Sequence, residues 1–310
     1  MRELFTPTNP GSSTRGLEES ISGSGAYAAR FEDLRRQLHR LRRSTLSIAG
    51  LAIVASIILV AIFAPAIAPF PEDIDSVNFE QVFQPPSAKH PFGTDEVGRD
   101  IMSRVIFGTR ISLALGIAVL VIALLIGVPL GLVAGYMGGL IGTVIMRTTD
   151  IFLSIPPLVL ALAVSAVLTP TLENMVFAIA FAWWPWYTRI VQGLVLSIKE
   201  ESFVESARSV GASPLNIVFR EILPNIMSIL IIKVTLDIGY AILTGAVLGF
   251  LGLGVRPPIP EWGTMTSNGR IYLPALWWLT TFPGLAIFVT VLGFNLLGDG
   301  LRDALDVELE

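Results

Sequence analysis

Residues Ile111 to Gly135 read ISLALGIAVLVIALLIGVPLGLVAG, and no charged residue interrupts the chain between Arg110 and Arg147. A helix needs about 20 apolar residues to cross ~30 Å of hydrocarbon, so this stretch reads as a membrane span. Five further charge-free gaps surround it: Ser44 to Pro71, Ile151 to Leu172, Asn174 to Thr188, Ile238 to Val255 and Ile271 to Gly298. They place spans near residues 46–69, 111–135, 146–169, 172–192, 226–253 and 277–298. The fold class predicted is therefore all-α, a polytopic membrane protein with six transmembrane helices. The third span contains Ser154, Pro156 and Pro157, and the fourth contains Pro185 within Trp183-Trp184-Pro185-Trp186. Both are predicted to kink where neighbours or water satisfy the freed carbonyls.

The composition agrees. Of 310 residues, 53% are hydrophobic and 15% charged, against roughly 45–50% and about 25% in an average soluble domain. With a formal charge of -4 and a mean hydropathy of +0.69, the chain has no basic excess for nucleic acid and is no disordered polyampholyte. Cys 0 removes disulfides, thiol nucleophiles and Cys-based metal sites, and His39 and His90 are the two histidines. Few catalytic tools remain, and the chain is not expected to be an enzyme or to bind a metal or cofactor itself.

Arg30, Arg35, Arg36, Arg40, Arg42 and Arg43 precede the first span, while Glu72, Asp73, Asp75 and Glu80 follow it. The positive-inside rule puts the N-terminus in the cytoplasm, and six crossings return the C-terminus there. Residues 1–29 read as a flexible tail rather than a signal peptide, since the apolar stretch before Ala64-Pro65-Ala66 exceeds the 7–15 residues usual for a secretory h-region. The predicted organisation is a tail and basic flank (1–44), a first helix (45–70), an extracytoplasmic segment (71–110), a core of spans (111–300) and a cytoplasmic C-terminus (301–310). Within the core, loop 193–225 is cytoplasmic and loop 254–276 extracytoplasmic. Arg99, Arg104 and Arg110, lying among Asp95, Glu96 and Asp100, fit the rule poorly and are read as an interfacial amphipathic stretch.

Gly127, Gly131 and Gly135 recur every four residues, which lets another helix approach one face of the second span closely. Gly249-Phe250-Leu251-Gly252-Leu253-Gly254 has the order G-x-x-G-x-G without βαβ context, and Lys89, Lys199 and Lys233 lack Walker A spacing, so ATP, if used, binds another chain. Lys233 and Asp237 lie i, i+4 within the fifth span, readable as a structural pair or as lining a path. Asp150 is expected to pair with Arg147 at i, i+3. Trp183 and Trp184 fall near mid-membrane, either packed or beside a path, and Trp277 and Trp278 fit an outer aromatic belt.

The soluble piece Glu201-Ser202-Phe203-Val204-Glu205-Ser206-Ala207-Arg208-Ser209-Val210-Gly211-Ala212-Ser213-Pro214 reads as a helical knob. Phe203, Ala207 and Val210 share a face, Gly211 is a natural C′ stop, and Ser213 with Pro214 caps a second short helix that Pro224-Asn225 ends.

Glu205-Ser206-Ala207, Gly211 and Leu223-Pro224-Asn225 resemble the EAA loop of permease subunits in bacterial ABC importers, with Ser206 for the usual alanine. His90-Pro91-Phe92-Gly93-Thr94-Asp95, Gly98-Arg99-Asp100, Gly135-Tyr136-Met137-Gly138-Gly139, Met146-Arg147 with Asp150, Phe250 to Val255 and Phe294 to Asp303 are similar to the dipeptide/oligopeptide/nickel permease family of the DppC/OppC type. Coverage is about residues 30–310. Glu221 stands where such permeases commonly have His, and Leu140-Ile141-Gly142-Thr143 lacks the family's Asp.

The resemblance implies a type I ABC importer permease fold in the bacterial inner membrane. It implies a second homologous permease, two ABC ATPase subunits that hold ATP and Mg, an extracytoplasmic substrate-binding protein, and surrounding lipid. Phe203, Val204, Ala207 and Val210 would insert into the ATPase, Glu205 and Arg208 would form a polar rim, and Ser206, Gly211, Ala212 and Ser213 would complete the loop. Peptide import leads, with nickel or another small ligand as an alternative. A single-chain ion-coupled transporter using Lys233 and Asp237 is the reading from a different class.

Overall fold

A computed structural model describes residues 45–305. The tail 1–29, the basic flank Arg30 to Arg43 and residues 306–310 lie outside the described residues. Among the described residues all regular structure is helical: α1 Thr45–Ile67, α2 Ile101–Met137, α3 Gly139–Leu153, α4 Pro157–Val167, α5 Leu172–Ile198, α6 Ser202–Ser209, α7 Pro214–Ile217, α8 Leu223–Phe250, α9 Trp262–Arg270 and α10 Trp278–Leu305. Two 3₁₀ turns, Pro71–Ile74 and Phe79–Gln81, lie between α1 and α2.

Among the described residues four helices are long and apolar enough to cross a membrane: α1, α2, the continuous rod Pro214–Phe250, and α10. The pair α3 and α4, bent by 81°, becomes a fifth if it counts as one span. A bend this sharp follows from Pro156 and Pro157, which remove two amide donors. Helix α3 stops with Ser154 donating through Oγ to the Ile151 carbonyl at 2.7 Å. Helix α5 has the length of a span but interleaves Trp183, Trp184, Trp186, Tyr187, Thr188, Arg189 and Gln192 with its apolar residues, and it runs through Pro185 as one helix.

Helix α2 begins ten residues before the predicted 111, because charge was taken as the boundary and Arg104 and Arg110 are helical. Asp100 caps it, accepting from the Ser103 amide at 2.7 Å, and Gly138 (φ +59) ends it. Its glycine stripe receives α5. A Cβ at Gly127, Gly131 or Gly135 would sit 2.6–2.7 Å from the Trp184 carbonyl, Val191 Cβ or Val195 Cβ. On the other side of the bundle α1 lies along α10, where Gly293 accommodates Ile53 and Gly300 accommodates Ser47, and α10 meets α8 at Gly298 and Leu236.

Arg99 and Arg104 are buried and do not form the exposed charged face expected of an interfacial amphipathic stretch, whereas Arg110 is exposed on α2. Asp95 takes Arg99 Nε at 2.7 Å and Arg104 Nε at 3.6 Å, and Arg104 also donates to the carbonyls of Ile74 and Pro258. His90 lies buried between Asp100 (2.9 Å) and Gln81 (3.0 Å). The charges are neutralised inside a folded plug over one end of the bundle, which the charge pattern along the chain could not reveal. Trp278 joins this plug, its indole reaching the Thr94 carbonyl, so only Trp277 of the expected aromatic pair is at the surface.

Candidate functional site

The knob lies at the end of the bundle opposite the plug. Helix α6 closes as its glycine requires: the Gly211 amide donates to Arg208 O (3.0 Å) and the Ala212 amide to Ala207 O (3.1 Å), the six-to-one bond of a Schellman motif. Gly211 has φ +83, and a Cβ there would touch nothing within 4 Å, so backbone conformation alone demands glycine. Ser213 then caps α7 through the Asn216 amide, and Pro214 occupies the first turn.

The predicted break at Pro224-Asn225 is absent. A π-helical turn, Val218–Ile222, absorbs the proline's missing donor, and α7 passes into α8 as one 37-residue rod. The knob is therefore tied rigidly to the fifth apolar helix, as expected, but by continuity with it and not across a break.

Which face points outward also differs from expectation. Val204 is fully buried and Ala207 half-buried. With Ile217 and Ala212 they pack on Leu132 of α2, Val191 and Val195 of α5, and Ile222 and Ile226 of the rod. Helical periodicity groups side chains into faces but does not say which face meets the protein body. The outward apolar groups are Phe203, Val210 (84% exposed), Leu215 (71%) and Phe219, with Glu205, Ser206, Arg208, Gly211 and Ser213 exposed among them. Leu215 and Phe219 escaped the sequence reading, although an i, i+4 apolar pair after a capped proline was a legible signal. Lys199 secures the base of the knob by donating to the Gly135 carbonyl at the end of α2, 3.4 Å away.

The charged pair within the rod is closed. Lys233 Nζ lies 2.6 Å from Asp237 Oδ1, while the Tyr187 hydroxyl of α5 donates to Asp237 Oδ2 at 2.7 Å. Asp237 is buried and Tyr187 wholly inaccessible, so the cluster clamps α5 to the rod. Trp184 is buried against Phe152 and Trp183 is half-buried in the α2–α5 core, whereas Trp186 is exposed. Asp150 pairs with Arg189 of α5 at 3.4 Å and not with Arg147 as expected. Around this pair, between α2, α3 and α5, is an open groove of about 350 Å³. An apolar groove of about 1130 Å³ separates the second half of α2 from the first half of the rod.

At the plug end, Glu261 caps α9. Oε1 accepts from the Gly263 amide and Oε2 from the Thr264 amide, both at 2.8 Å, and Oε2 also accepts from the Thr264 hydroxyl. Burial pushes its carboxyl above the ordinary range, against hydrogen bonds that pull it down. The glycine run at the end of α8 serves this joint. A Cβ at Gly249 would lie 2.5 Å from Glu261 Oε2, and Arg270 sits 4.6 Å over the Phe250 ring. Among the described residues no group of three or more His, Cys, Asp or Glu is placed to hold a metal.

The profile of the family described as binding-protein-dependent transport system inner membrane component matches residues 127–309, and that of the N-terminal TM domain of oligopeptide transport permease C matches residues 34–86. The chain is 44% identical over 276 residues to the dipeptide transport system permease protein DppC of Alkalihalophilus pseudofirmus, covering 89% of this chain and 90% of that one. It is 44% identical over 270 residues to the di/tripeptide transport system permease protein DppC of Pseudomonas aeruginosa, covering 85% and 88%. To the glutathione transport system permease protein GsiD of Shigella flexneri it is 45% identical over 271 residues, covering 87% and 89%.

Proposed function

The chain belongs to the family of binding-protein-dependent transport system inner membrane components, as an ABC importer permease subunit, and from that premise we propose how its parts divide the work. It is a transport subunit and not an enzyme. Its cargo is a small peptide, the class named for all three relatives. ATP and Mg²⁺ bind two separate ATPase chains, a second homologous permease completes the path, and an extracytoplasmic binding protein delivers the cargo.

Six crossings are built from α1, α2, the bent pair α3–α4, α5, the rod and α10, with both termini in the cytoplasm of a bacterial inner membrane. Residues 71–110 and 254–276 face outward, and the plug around Glu261 and Asp95 presents an ordered surface to the binding protein. Loop 193–225 faces the ATPases, with residues 1–44 and 301–310 on the same side.

One observation carries the coupling role: a capped apolar knob, free on one face, is continuous with a spanning helix. Phe203, Val210 and Leu215 enter the groove of an ATPase, Glu205 and Arg208 rim it, and Ser206, Gly211, Ala212 and Ser213 hold the shape. Val204 and Ala207 transmit the push into α2 and α5. Closure of the ATPase pair then moves the rod as a rigid body. The clamp Lys233–Asp237–Tyr187 and the stripe Gly127, Gly131, Gly135 keep α5 moving with its neighbours, and Trp183 and Trp184 are packing residues of the same body. Asp237 has both oxygens engaged, which removes support for an ion-coupled transporter. The test is Glu205→Arg in the complete complex, with expected retention in the membrane, near-normal ATP hydrolysis and loss of peptide uptake. Unchanged uptake overturns the assignment.

A further inference from the structure

The open groove between the end of α2, α3 and α5 has Thr143, Met146, Arg147, Asp150, Arg189 and Gln192 among its lining residues. Both arginines stand near the inner ends of the stretches read as spans at 146–169 and 172–192, at the knob end of the bundle. Arg189 and Arg147 are exposed on the described chain, and their guanidiniums are open to water or to an anion at the inner mouth.

The local anions do not satisfy this pair. Asp150 gives Arg189 a single contact, Nη1 to Oδ1 at 3.4 Å, which leaves most of a five-donor fork open. Arg147 has no hydrogen-bond or ion-pair partner among the described residues, although its place one helical turn from Asp150 would allow one. Two guanidiniums against one carboxylate leave one positive charge, and both forks are suited to bidentate recognition of a carboxylate. Thr143 and Gln192 add neutral polar groups. A volume of about 350 Å³ is at the small end of the ~300–1,000 Å³ typical of ligand pockets, which suits a short peptide and not a folded partner.

We propose that Arg147 and Arg189 form a subsite on the translocation path that takes the terminal carboxylate of a peptide in transit, with Asp150 holding Arg189 in place between cargoes. The subsite rests on the reading of the chain as a peptide permease. It gives the permease its own preference for a free C-terminus, in addition to that of the binding protein. A wholly neutral path would let amidated and free peptides pass alike.

The chain has no cysteine, so Gln192→Cys supplies the sole thiol of this subunit while both arginines stay in place. The complete complex, without nucleotide and in nanodiscs, is exposed to a water-soluble maleimide with increasing alanyl-alanine or alanyl-alanine amide. The expected result is that alanyl-alanine protects the thiol at a concentration about ten-fold lower than the amide, the value of one hydrogen bond between charged groups. Adding Arg147→Gln or Arg189→Gln closes that gap, and Arg147→Lys restores part of it. Equal protection by both compounds, no protection, or a thiol that does not react because lipid or the second permease covers it would each overturn the subsite. If a glutamine variant fails to assemble, the comparison of acid with amide on the Gln192→Cys complex alone decides. Uptake of alanyl-alanine by the complex with its binding protein and ATP is measured in parallel. Uptake without protection refutes the subsite alone, whereas no uptake of any peptide refutes the reading beneath it.

Discussion

Val204 and Val210 are six residues apart, carry the same side chain and should fail in opposite ways. Val204 is 0% exposed among Leu132, Val191, Val195 and Ile222, whereas Val210 is 84% exposed. Truncating Val204 to alanine removes two buried methyl groups, about 1.6 kcal/mol of transfer free energy at ~0.8 kcal/mol each. A cavity under a short helix adds to this, giving roughly 2 kcal/mol in all. Truncating Val210 leaves the permease itself unchanged within about 0.5 kcal/mol, as for most surface changes. The assay has two parts: thermal unfolding of the permease pair without ATPases, then ATPase binding and peptide uptake in the complete complex. Val204→Ala should lower the midpoint of the pair while retaining ATPase contact in the folded fraction. Val210→Asp should leave the midpoint alone and weaken ATPase binding and uptake. If Val210→Asp destabilises the bare pair as much as Val204→Ala does, or Val204→Ala is silent, the assignment of inner and outer faces is refuted.

Gly211→Ala forces a side chain into a left-handed conformation with no steric neighbour, costing about 1–2 kcal/mol; uptake per ATP hydrolysed should fall while subunit abundance in the membrane holds. Gly131→Leu drives side-chain atoms into Val191 and Thr188, a cost of about 3 kcal/mol or more, to be read as loss of the assembled subunit from the membrane fraction. Asp237→Ala leaves Lys233 unpaired beside apolar helices and should cost roughly 3–5 kcal/mol in thermal stability; Tyr187→Phe, which only orphans one carboxylate oxygen, should cost about 1–3 kcal/mol. Glu261 has its folded pKa raised above the ordinary 4.5, so the stability it contributes is full below that value and is lost as pH rises through the raised one. Melting of the complex should show this slope, and Glu261→Gln should remove it.

The apolar runs identified α1 and α8 to within about three residues and the start of α10 to within one, since a long charge-free stretch has one economical fate, but they missed the turns that extend α8 back to Pro214 and α10 on to Leu305. Boundaries set by charge failed where a helix runs on through its charged residues. Arg110 looked like the end of a span and lies inside α2, exposed, as does Arg104, which is held by Asp95 and two carbonyls from distant loops. The glycine stripe named an interface without naming α5 as its occupant. Gly211 and Ser213 were readable because caps are local chemistry, and Val204 was misassigned because burial is not local. Arg147 and Asp150 share a turn of helix, yet Asp150 turns to Arg189, a residue thirty-nine positions away that no helical spacing connects to it. Tyr187 was missed for the same reason: its role exists only once α5 lies beside the rod.

The π turn that replaces the predicted break has a mechanical consequence. Because Pro214–Phe250 is one element of 37 residues, it is a lever roughly 55 Å long. At its far end the Phe250 carbonyl accepts hydrogen bonds from Ser267 and Arg270, so α9 is bolted to it. A tilt of about 10° at the knob displaces that bolt by about 10 Å over such an arm. On the coupling proposed above, a stroke delivered at the knob arrives amplified at α9, and strain imposed there returns along the same rod.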